Sequence, residues 1–268
     1  MFRHMLLSAA TALALFASYT APSKAQEFDD IGSVIKVSFL QGWRHEDGVH
    51  FAGLKVDLAP GWKTYWRAPG DGGLPTLISW AGSDNVSDAD IVWPRPRVFR
   101  QAGMRSVGYD TQVVLPLRFL PKTEGQMNVQ LHLRMGVCKD VCLPVDMKLS
   151  TTLAQGAKEG VSLIKSALSD RPAKVAAPLT CRLTRKDGEY LLEVSTVVAQ
   201  PLGRSEVSVI ELPDPTIWVS EPFFARNGDM VVAKSRVIPQ AKSAVIDLTQ
   251  LRLTLLTTSD AIEMKGCG

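Results

Sequence analysis

Apolar and polar residues alternate with a period of two in short runs along most of this chain. From 52 to 58 the apolar side chains are separated by residues that include Lys55 and Asp57, and the segment 128–135 alternates in the same way. Such alternation is typical of strands that bury one face. Similar runs, broken by Gly, Pro and Asp, occupy 113–120, 143–153, 190–198, 206–212, 230–237 and 251–257. The spacing of these runs predicts antiparallel β-sandwiches.

The apolar period changes to that of a helix between 158 and 169, where Val161, Ile164 and Leu168 recur at helical spacing. The Asp-Arg-Pro sequence that follows ends this helix. The next stretch, 173–178, is rich in Pro and Ala and has the composition of a linker. These patterns place one β-domain at 26–155, a helix and linker at 156–177, and a second β-domain at 178–268.

The N-terminus has the pattern of a secretory signal peptide. Arg3 is followed by the apolar run 5–19 and then by Ser23-Lys24-Ala25, a small-x-small cleavage site. A transmembrane anchor is the competing interpretation, but the run has about 15 residues and a spanning helix needs about 20. We therefore predict that residues 1–25 are removed and that the mature protein is soluble, exported and periplasmic.

Charge excludes one class of function. The chain has 30 Lys and Arg against 27 Asp and Glu, and removal of the leader takes away two of the basic residues. The mature chain is then nearly neutral, and it has no block of Lys or Arg. Binding to nucleic acid therefore has no electrostatic support.

The four cysteines fall into a near pair and a distant pair. An even number in an exported chain fits an oxidising compartment. In the chain-entropy model a bridge between Cys138 and Cys142 stabilises by about 2 kcal/mol, whereas one between Cys181 and Cys267 gives about 4.6 kcal/mol. The near pair is the better candidate for chemistry, and we predict a structural disulfide for the distant pair. Free or intermolecular thiols are the alternative for the distant pair.

The near pair requires a turn, because residues i and i+4 of an extended chain lie farther apart than a disulfide allows. The pair is therefore expected at a sheet edge or hairpin tip, where the thiol of a partner can reach it. Thiol exchange needs an attacking thiolate and a second cysteine that resolves the mixed disulfide. Which of Cys138 and Cys142 attacks is left open.

Two other interpretations of Cys138 and Cys142 stand beside exchange. The pair is either a staple of a hairpin or part of a metal site. A soft copper site generally needs a further ligand, and the histidines of the chain, at 4, 45, 50 and 132, all precede Cys142. No metal site and no cofactor is therefore expected.

Several motifs, in order, resemble a known family. They are Gly61-Trp62-Lys63-Thr64-Tyr65-Trp66-Arg67, Trp93-Pro94, Gly108-Tyr109-Asp110, Val114-Leu115-Pro116 and Gly136-Val137-Cys138-Lys139-Asp140-Val141-Cys142-Leu143-Pro144. This set resembles the N-terminal (alpha) domain of the thiol:disulfide interchange protein DsbD, and it is closer still to the suppressor-of-copper-sensitivity relative. The resemblance covers about residues 30 to 155.

The resemblance implies an immunoglobulin-like sandwich. With the pattern above, the fold class is all-β, with two immunoglobulin-like β-sandwich domains joined by a short helical connector. It further implies that Cys138 and Cys142 are the catalytic pair and that a cap loop at 94–103 shields them. The residues implied for the surround or cap of the pair are Trp62, Tyr65, Phe99, Tyr109 and Asp140.

The resemblance also implies a function. A periplasmic thiol-disulfide exchange protein, with protein-disulfide reductase as the enzyme class, would pass electrons from a membrane thiol-disulfide reductase to periplasmic thioredoxin-like or disulfide isomerase proteins. Cytochrome c biogenesis and copper tolerance are the processes connected with this family. The alternative is an exported two-domain binding module, for a protein or copper, in which the disulfides are purely structural.

Two departures from the family affect what can be carried over. The classical domain has five residues between its cysteines and this chain has three, so the turn and the redox potential do not transfer. The chain also ends without the transmembrane reductase and the thioredoxin-like domain of that family. The electron donor is therefore expected to be another protein.

Overall fold

A computed structural model describes residues 31–101, 103–186, 189–199, 202–203 and 205–268. The predicted signal peptide, 1–25, lies outside these residues. Regular structure in the described part is almost entirely strand, which confirms the all-β prediction.

The first half of the described chain contains ten strands and is followed by one helix. The strands are β1 (Ile35–Arg44), β2 (His50–Leu58), β3 (Lys63–Tyr65), β4 (Leu77–Ser79), β5 (Val86–Ile91), β6 (Arg97–Gln101), β7 (Met104–Asp110), β8 (Gln112–Pro121), β9 (Met127–Cys138) and β10 (Cys142–Leu153), and the helix is α1 (Val161–Ser169). One sheet has the order β1-β2-β8-β5, and the other has the order β10-β9-β3-β7-β6 with β4 also paired to β9.

These two sheets enclose a common core. The inward-facing residues of β2 and β9 alternate with more exposed ones, as the sequence predicts. Leu54 and Leu117 from one sheet and Leu133 and Val137 from the other are fully or almost fully buried in the same apolar cluster. This part of the chain is therefore a β-sandwich.

The second half contains nine strands. They are β11 (Ala173–Lys174), β12 (Thr180–Lys186), β13 (Glu189–Val197), β14 (Val207–Glu211), β15 (Ile217–Val219), β16 (Phe223–Asn227), β17 (Met230–Pro239), β18 (Arg252–Leu256) and β19 (Ala261–Lys265). One sheet has the order β11-β19-β18-β14, and the other has the order β12-β13-β17-β15 with β16 also paired to β17. Residues of both sheets share a second apolar cluster, so this half is also a sandwich.

The segment between the sandwiches differs in two details from its sequence pattern. The helix begins at Val161 rather than 158, because Gly160 adopts a left-handed conformation with φ 72°. Part of the predicted linker is a short strand, since Ala173 and Lys174 pair in parallel with β19. On α1, Ile164 is fully buried against Leu40 and Val114.

The two sandwiches contact each other directly. Val209, Leu256 and Ala261 of the second half belong to the apolar cluster of the first. The guanidinium of Arg67, two residues after the end of β3, pairs with Glu211 through two hydrogen bonds of 2.8 and 2.9 Å, and it also pairs with Glu263. Residues 31–268 consequently form one compact unit.

Candidate functional site

Cys138 and Cys142 form a disulfide at the end of the β9–β10 hairpin. Cys138 is the last residue of β9, Cys142 is the first of β10, and the two are direct partners across the antiparallel ladder, with a Cα–Cα distance of 4.1 Å. Three residues turn the chain between them, and Lys139 donates its backbone N–H to the carbonyl of Val141. Since β10 ends the sheet order, the disulfide lies at a sheet edge.

The two cysteines differ in exposure. Cys138 is only 2% exposed and lies at the end of a strand whose last residues are all buried. Cys142 is exposed to solvent, as are the neighbouring Asp140 and Val141 of the turn. Cys142 is therefore the cysteine of the pair that an incoming thiolate can approach more easily.

A buried tyrosine contacts the exposed cysteine. The hydroxyl of Tyr65 lies 3.9 Å from Sγ of Cys142, and it also donates to the carbonyl of Gly72 at 3.3 Å. Burial raises the pKa of Tyr65 above its usual value near 10. The hydroxyl therefore stays protonated at neutral pH, and by rotation it can donate its single hydrogen to a thiolate at position 142 in place of the Gly72 carbonyl.

Strand β3 brings Tyr65 to this position. Lys63 is opposite Cys138 on one side and opposite Asp110 on the other, so β3 lies between β9 and β7. The next residue, Thr64, is buried, and its hydroxyl donates to the carbonyl of Gly136 at 2.9 Å. These contacts fix the strand and the tyrosine that ends it beside the disulfide.

The loop at 70–74 packs over the same region. A Cβ on Gly136 would lie 2.7 Å from Cβ of Leu74, so only glycine leaves room for this leucine. A Cβ on Gly73 would lie 2.7 Å from the ring of Tyr65. The loop is therefore held close to β9 and to the tyrosine.

The β6–β7 hairpin contacts the turn between the cysteines. At its end, Gln101 donates from Nε2 to the carbonyl of Lys139 at 3.0 Å and accepts from Nζ of Lys63 at 2.6 Å. The ring of Phe99 lies below Nζ of Lys63, at 5.5 Å from ring centroid to nitrogen. Gln101 and Phe99 lie on the same face of the strand, since side chains two residues apart do so.

Comparison with protein families supports the resemblance seen in the sequence. Residues 36–154 match the family described as thiol:disulfide interchange protein DsbD, N-terminal. These residues are similar to the DsbD N-terminal domain. The match includes all strands from β2 to β10 and both cysteines of the hairpin.

A solved structure shares the fold beyond residue 154. The N-terminal periplasmic domain of ScsB from Proteus mirabilis aligns with a TM-score of 0.64 and 24% sequence identity, over 87% of this chain and 93% of that one. The alignment extends well past residue 154, so the second sandwich has a counterpart there. No curated protein matches the sequence.

The other predicted surround residues differ in burial. Trp62 is 7% exposed and belongs to the sandwich core. Tyr109 is also in the core, and its hydroxyl donates to the carbonyl of Pro94 at 2.9 Å, at the start of the predicted cap loop. Burial raises the pKa of Tyr109 well above its usual value. Asp140 is exposed in the turn between the cysteines.

Sequence reasoning missed three residues that the structure places at the disulfide. Gln101 reaches the turn, while Lys63 and Thr64 attach β3 to β9. Lys63 and Thr64 lie in the motif at 61–67, and Gln101 lies in the predicted cap loop at 94–103. Their place in these segments is the only feature of the sequence that links them to the cysteines.

The distant cysteines are also joined. Cys181 on β12 and Cys267, after β19, form a disulfide with a Cα–Cα distance of 5.7 Å. Because β12 and β19 belong to different sheets, the bridge links the two layers of the second sandwich.

The part of the chain that the structure describes contains neither a candidate metal site nor a helix that could span a membrane. No group of three or more His, Cys, Asp or Glu is arranged to hold a metal ion there. Within the same residues, no helix is long and apolar enough to cross a membrane.

Proposed function

We propose that this chain is a periplasmic thiol-disulfide exchange protein that passes electrons from a membrane thiol-disulfide reductase to periplasmic thioredoxin-like or disulfide isomerase proteins. The observation that carries the proposal is the asymmetry of the Cys138–Cys142 disulfide, with one buried and one exposed cysteine at a sheet edge. A staple of a hairpin has no need of an accessible sulfur. The match of residues 36–154 to the DsbD N-terminal family supports the same chemistry.

Reduction of the disulfide begins at Cys142. A thiolate of the donor attacks Sγ of Cys142, the bond to Cys138 breaks, and Cys138 leaves as a thiolate. The second thiol of the donor then attacks the donor's own sulfur in the mixed disulfide and releases Cys142 as a thiolate. Two electrons have passed to this chain, and the donor has become a disulfide.

Oxidation reverses the roles. The Cys142 thiolate attacks a disulfide of the acceptor, forms a mixed disulfide and releases one thiolate of the acceptor. Cys138 then attacks Sγ of Cys142, re-forms the internal bond and releases the second acceptor thiolate. Cys142 is therefore the attacking residue and Cys138 the resolving one. In the reduced state Tyr65 turns its hydroxyl hydrogen from the Gly72 carbonyl to the Cys142 thiolate.

The surface beside Cys142 suits a protein partner. Val141 is 50% exposed next to Cys142, and Leu74 is 43% exposed against β9. Met104, at the start of β7, is 52% exposed and lies beside Gly72. Exposed apolar side chains are the usual contacts of a binding surface, so a partner that delivers a thiol or disulfide to Cys142 can bury them.

The test separates the two cysteines. Reduced Cys138→Ala protein is expected to form a stable mixed disulfide with oxidised glutathione at Cys142, and to trap thioredoxin-like proteins from a periplasmic extract. Cys142→Ala should form these adducts much more slowly, because its remaining thiol is buried. The matched control is Cys181→Ala combined with Cys267→Ala, which leaves the exchange pair intact.

A measurement of the redox potential gives an independent check. Equilibration of the unaltered chain in glutathione buffers is expected to give a potential above about −300 mV, since inert structural disulfides lie below that value. A lower potential, together with no trapped adduct in Cys138→Ala, would contradict the proposal and favour a binding module with structural disulfides.

A further inference from the structure

Two arginines face each other across the β6–β7 hairpin. They form the second-to-last residue pair before the turn. Arg100 on β6 is the direct cross-strand partner of Arg105 on β7. Like charges directly opposite each other destabilise a hairpin. A negative charge between the two arginines is therefore needed to keep β6 and β7 paired at the end of the hairpin.

That charge comes from the second sandwich. Glu221 lies between β15 and β16, and its Oε1 is 3.1 Å from Nη2 of Arg100 and 3.5 Å from Nε of Arg105. The side chain of Arg105 is only 3% exposed, whereas that of Arg100 is 62% exposed. A buried guanidinium is costly unless it is paired, so Arg105 in particular depends on this carboxylate.

Glu221 also contacts the loop beside the disulfide. Its backbone N–H donates to Oδ2 of Asp71 at 3.3 Å. Asp71 precedes Gly72, whose carbonyl accepts from the hydroxyl of Tyr65. The same residue of the second sandwich therefore contacts both the hairpin and the loop at 70–74.

The hairpin end is held from both faces. Arg100 and Gln101 are successive strand residues, so their side chains point to opposite faces. Gln101 binds the carbonyl of Lys139 between the cysteines, and Arg100 binds Glu221 of the second sandwich. Movement of the end away from Glu221 would pull Gln101 away from the turn that carries the disulfide.

We propose that Glu221 is a positioning residue: it neutralises Arg100 and Arg105 and thereby keeps the β6–β7 hairpin against the cysteine turn, so that the second sandwich limits access of thiols to the disulfide. This inference rests on the exchange function proposed above. It gives the second sandwich a part in the reaction, although the second sandwich has no cysteine in the exchange pair.

The experiment measures how fast reduced glutathione opens the Cys138–Cys142 disulfide in the full chain. Glu221→Gln keeps the size of the side chain and removes its charge, and it is expected to react several-fold faster than the unaltered chain. The matched control is Glu206→Gln, which breaks a glutamate–arginine pair with Arg226 inside the second sandwich. The control should lose stability without a change in rate.

A double-mutant cycle tests whether Glu221 acts through the hairpin. Arg100→Gln removes one contact with Glu221 but also the like charge opposite Arg105, so it should raise the rate less than Glu221→Gln does. The double variant should be no faster than Glu221→Gln alone. Because Arg100 is largely exposed, its variant remains informative even if Glu221→Gln folds poorly.

The outcomes separate this proposal from the one on which it rests. An unchanged or slower rate in Glu221→Gln, additive effects in the cycle, or an equal acceleration in Glu206→Gln would overturn the role of Glu221 and leave exchange intact. A potential of the unaltered chain in the range of inert structural disulfides, with no adduct in Cys138→Ala, would overturn the exchange function itself.

Discussion

The hydroxyl of Tyr65 and Sγ of Cys142 lie 3.9 Å apart, although 77 positions separate the two residues in the chain. The contact depends on β3, which is only three residues long and is held between β7 and β9. It places a protonated phenol next to the sulfur that a partner can reach. The reactivity of Cys142 is therefore expected to depend on a residue of another strand.

Tyr65→Phe is expected to raise the pKa of the Cys142 thiol in the reduced protein. Loss of a hydrogen bond to the thiolate disfavours the charged form, by about one pKa unit for a bond of this kind. The pH dependence of alkylation by iodoacetamide measures the change, and the rate at neutral pH should fall. Tyr190→Phe, in the second sandwich, is the control, and an identical profile in both variants would contradict a role for the Tyr65 hydroxyl.

Gly108→Ala is expected to destabilise the first sandwich at the strand that carries Tyr65. A Cβ at this position would lie 2.0 Å from the carbonyl oxygen of Thr64, so β3 and β7 would have to separate. Forced overpacking of this kind costs about 1–3 kcal/mol. Gly156→Ala has open space around its Cβ and is the matched control. The free energies of unfolding of the two variants, measured in urea, should differ by that amount. Equal midpoints would show that β3 and β7 accommodate the added methyl group without loss of stability.

Removal of the two disulfides should have unequal effects on stability. Replacing Cys181 and Cys267 with alanine frees a loop of about 86 residues and is expected to cost about 4.6 kcal/mol in the chain-entropy model. The same change at Cys138 and Cys142 is expected to cost about 2 kcal/mol. Denaturant unfolding of both double variants checks the order, and a larger loss at the near pair would mean that it is the structural one.

His50 is expected to make stability depend on pH. Its ring is fully buried, and burial holds its pKa below the usual 6.5, although Nε2 bonds to the carbonyl of Gln41 at 2.7 Å. The unfolded chain therefore binds a proton below pH 6.5 that the folded chain does not. This contribution to stability is full above pH 6.5 and is lost as the pH falls below it, with a slope of at most about 1.4 kcal/mol per pH unit.

The measurement for His50 compares urea unfolding across this range in two variants. His50→Gln removes the titrating ring and should flatten the acid limb of the profile. His45→Gln replaces an exposed histidine and should leave the limb as it is. If stability falls equally steeply at acid pH in the unaltered chain and in both variants, the pH dependence belongs to groups other than His50.

Local patterns in the sequence were enough to predict much of the fold. Alternation over 52–58 and 128–135 gave the central strands β2 and β9, because one face of each is buried in a continuous core. The short spacing between Cys138 and Cys142 requires a turn, which predicted that the pair lies at a hairpin end. The structure places the two cysteines there. Both inferences rest on interactions between residues close in the chain.

The parts that could not be predicted depend on residues far apart. Strand β3 is too short to show alternation, and its place follows from pairing with β7 and β9. The contacts of Gln101 with the cysteine turn and of Glu221 with Arg100 join segments 38 and 121 positions apart. No local pattern encodes such distances, and the resemblance to a family covered only one of the two sandwiches.

Tyr65, Trp66 and Arg67 are consecutive, yet each serves a different part of the molecule. Tyr65 contacts Cys142, and Trp66 is fully buried in the core. Arg67 pairs with Glu211 and Glu263 of the second sandwich. A fragment trimmed to residues 36–154 would contain the whole family match and both reactive cysteines. It would nevertheless lack the acidic partners of Arg67, which is only two residues from Tyr65. Rates of thiol exchange measured on such a fragment are therefore expected to differ from those of the full chain.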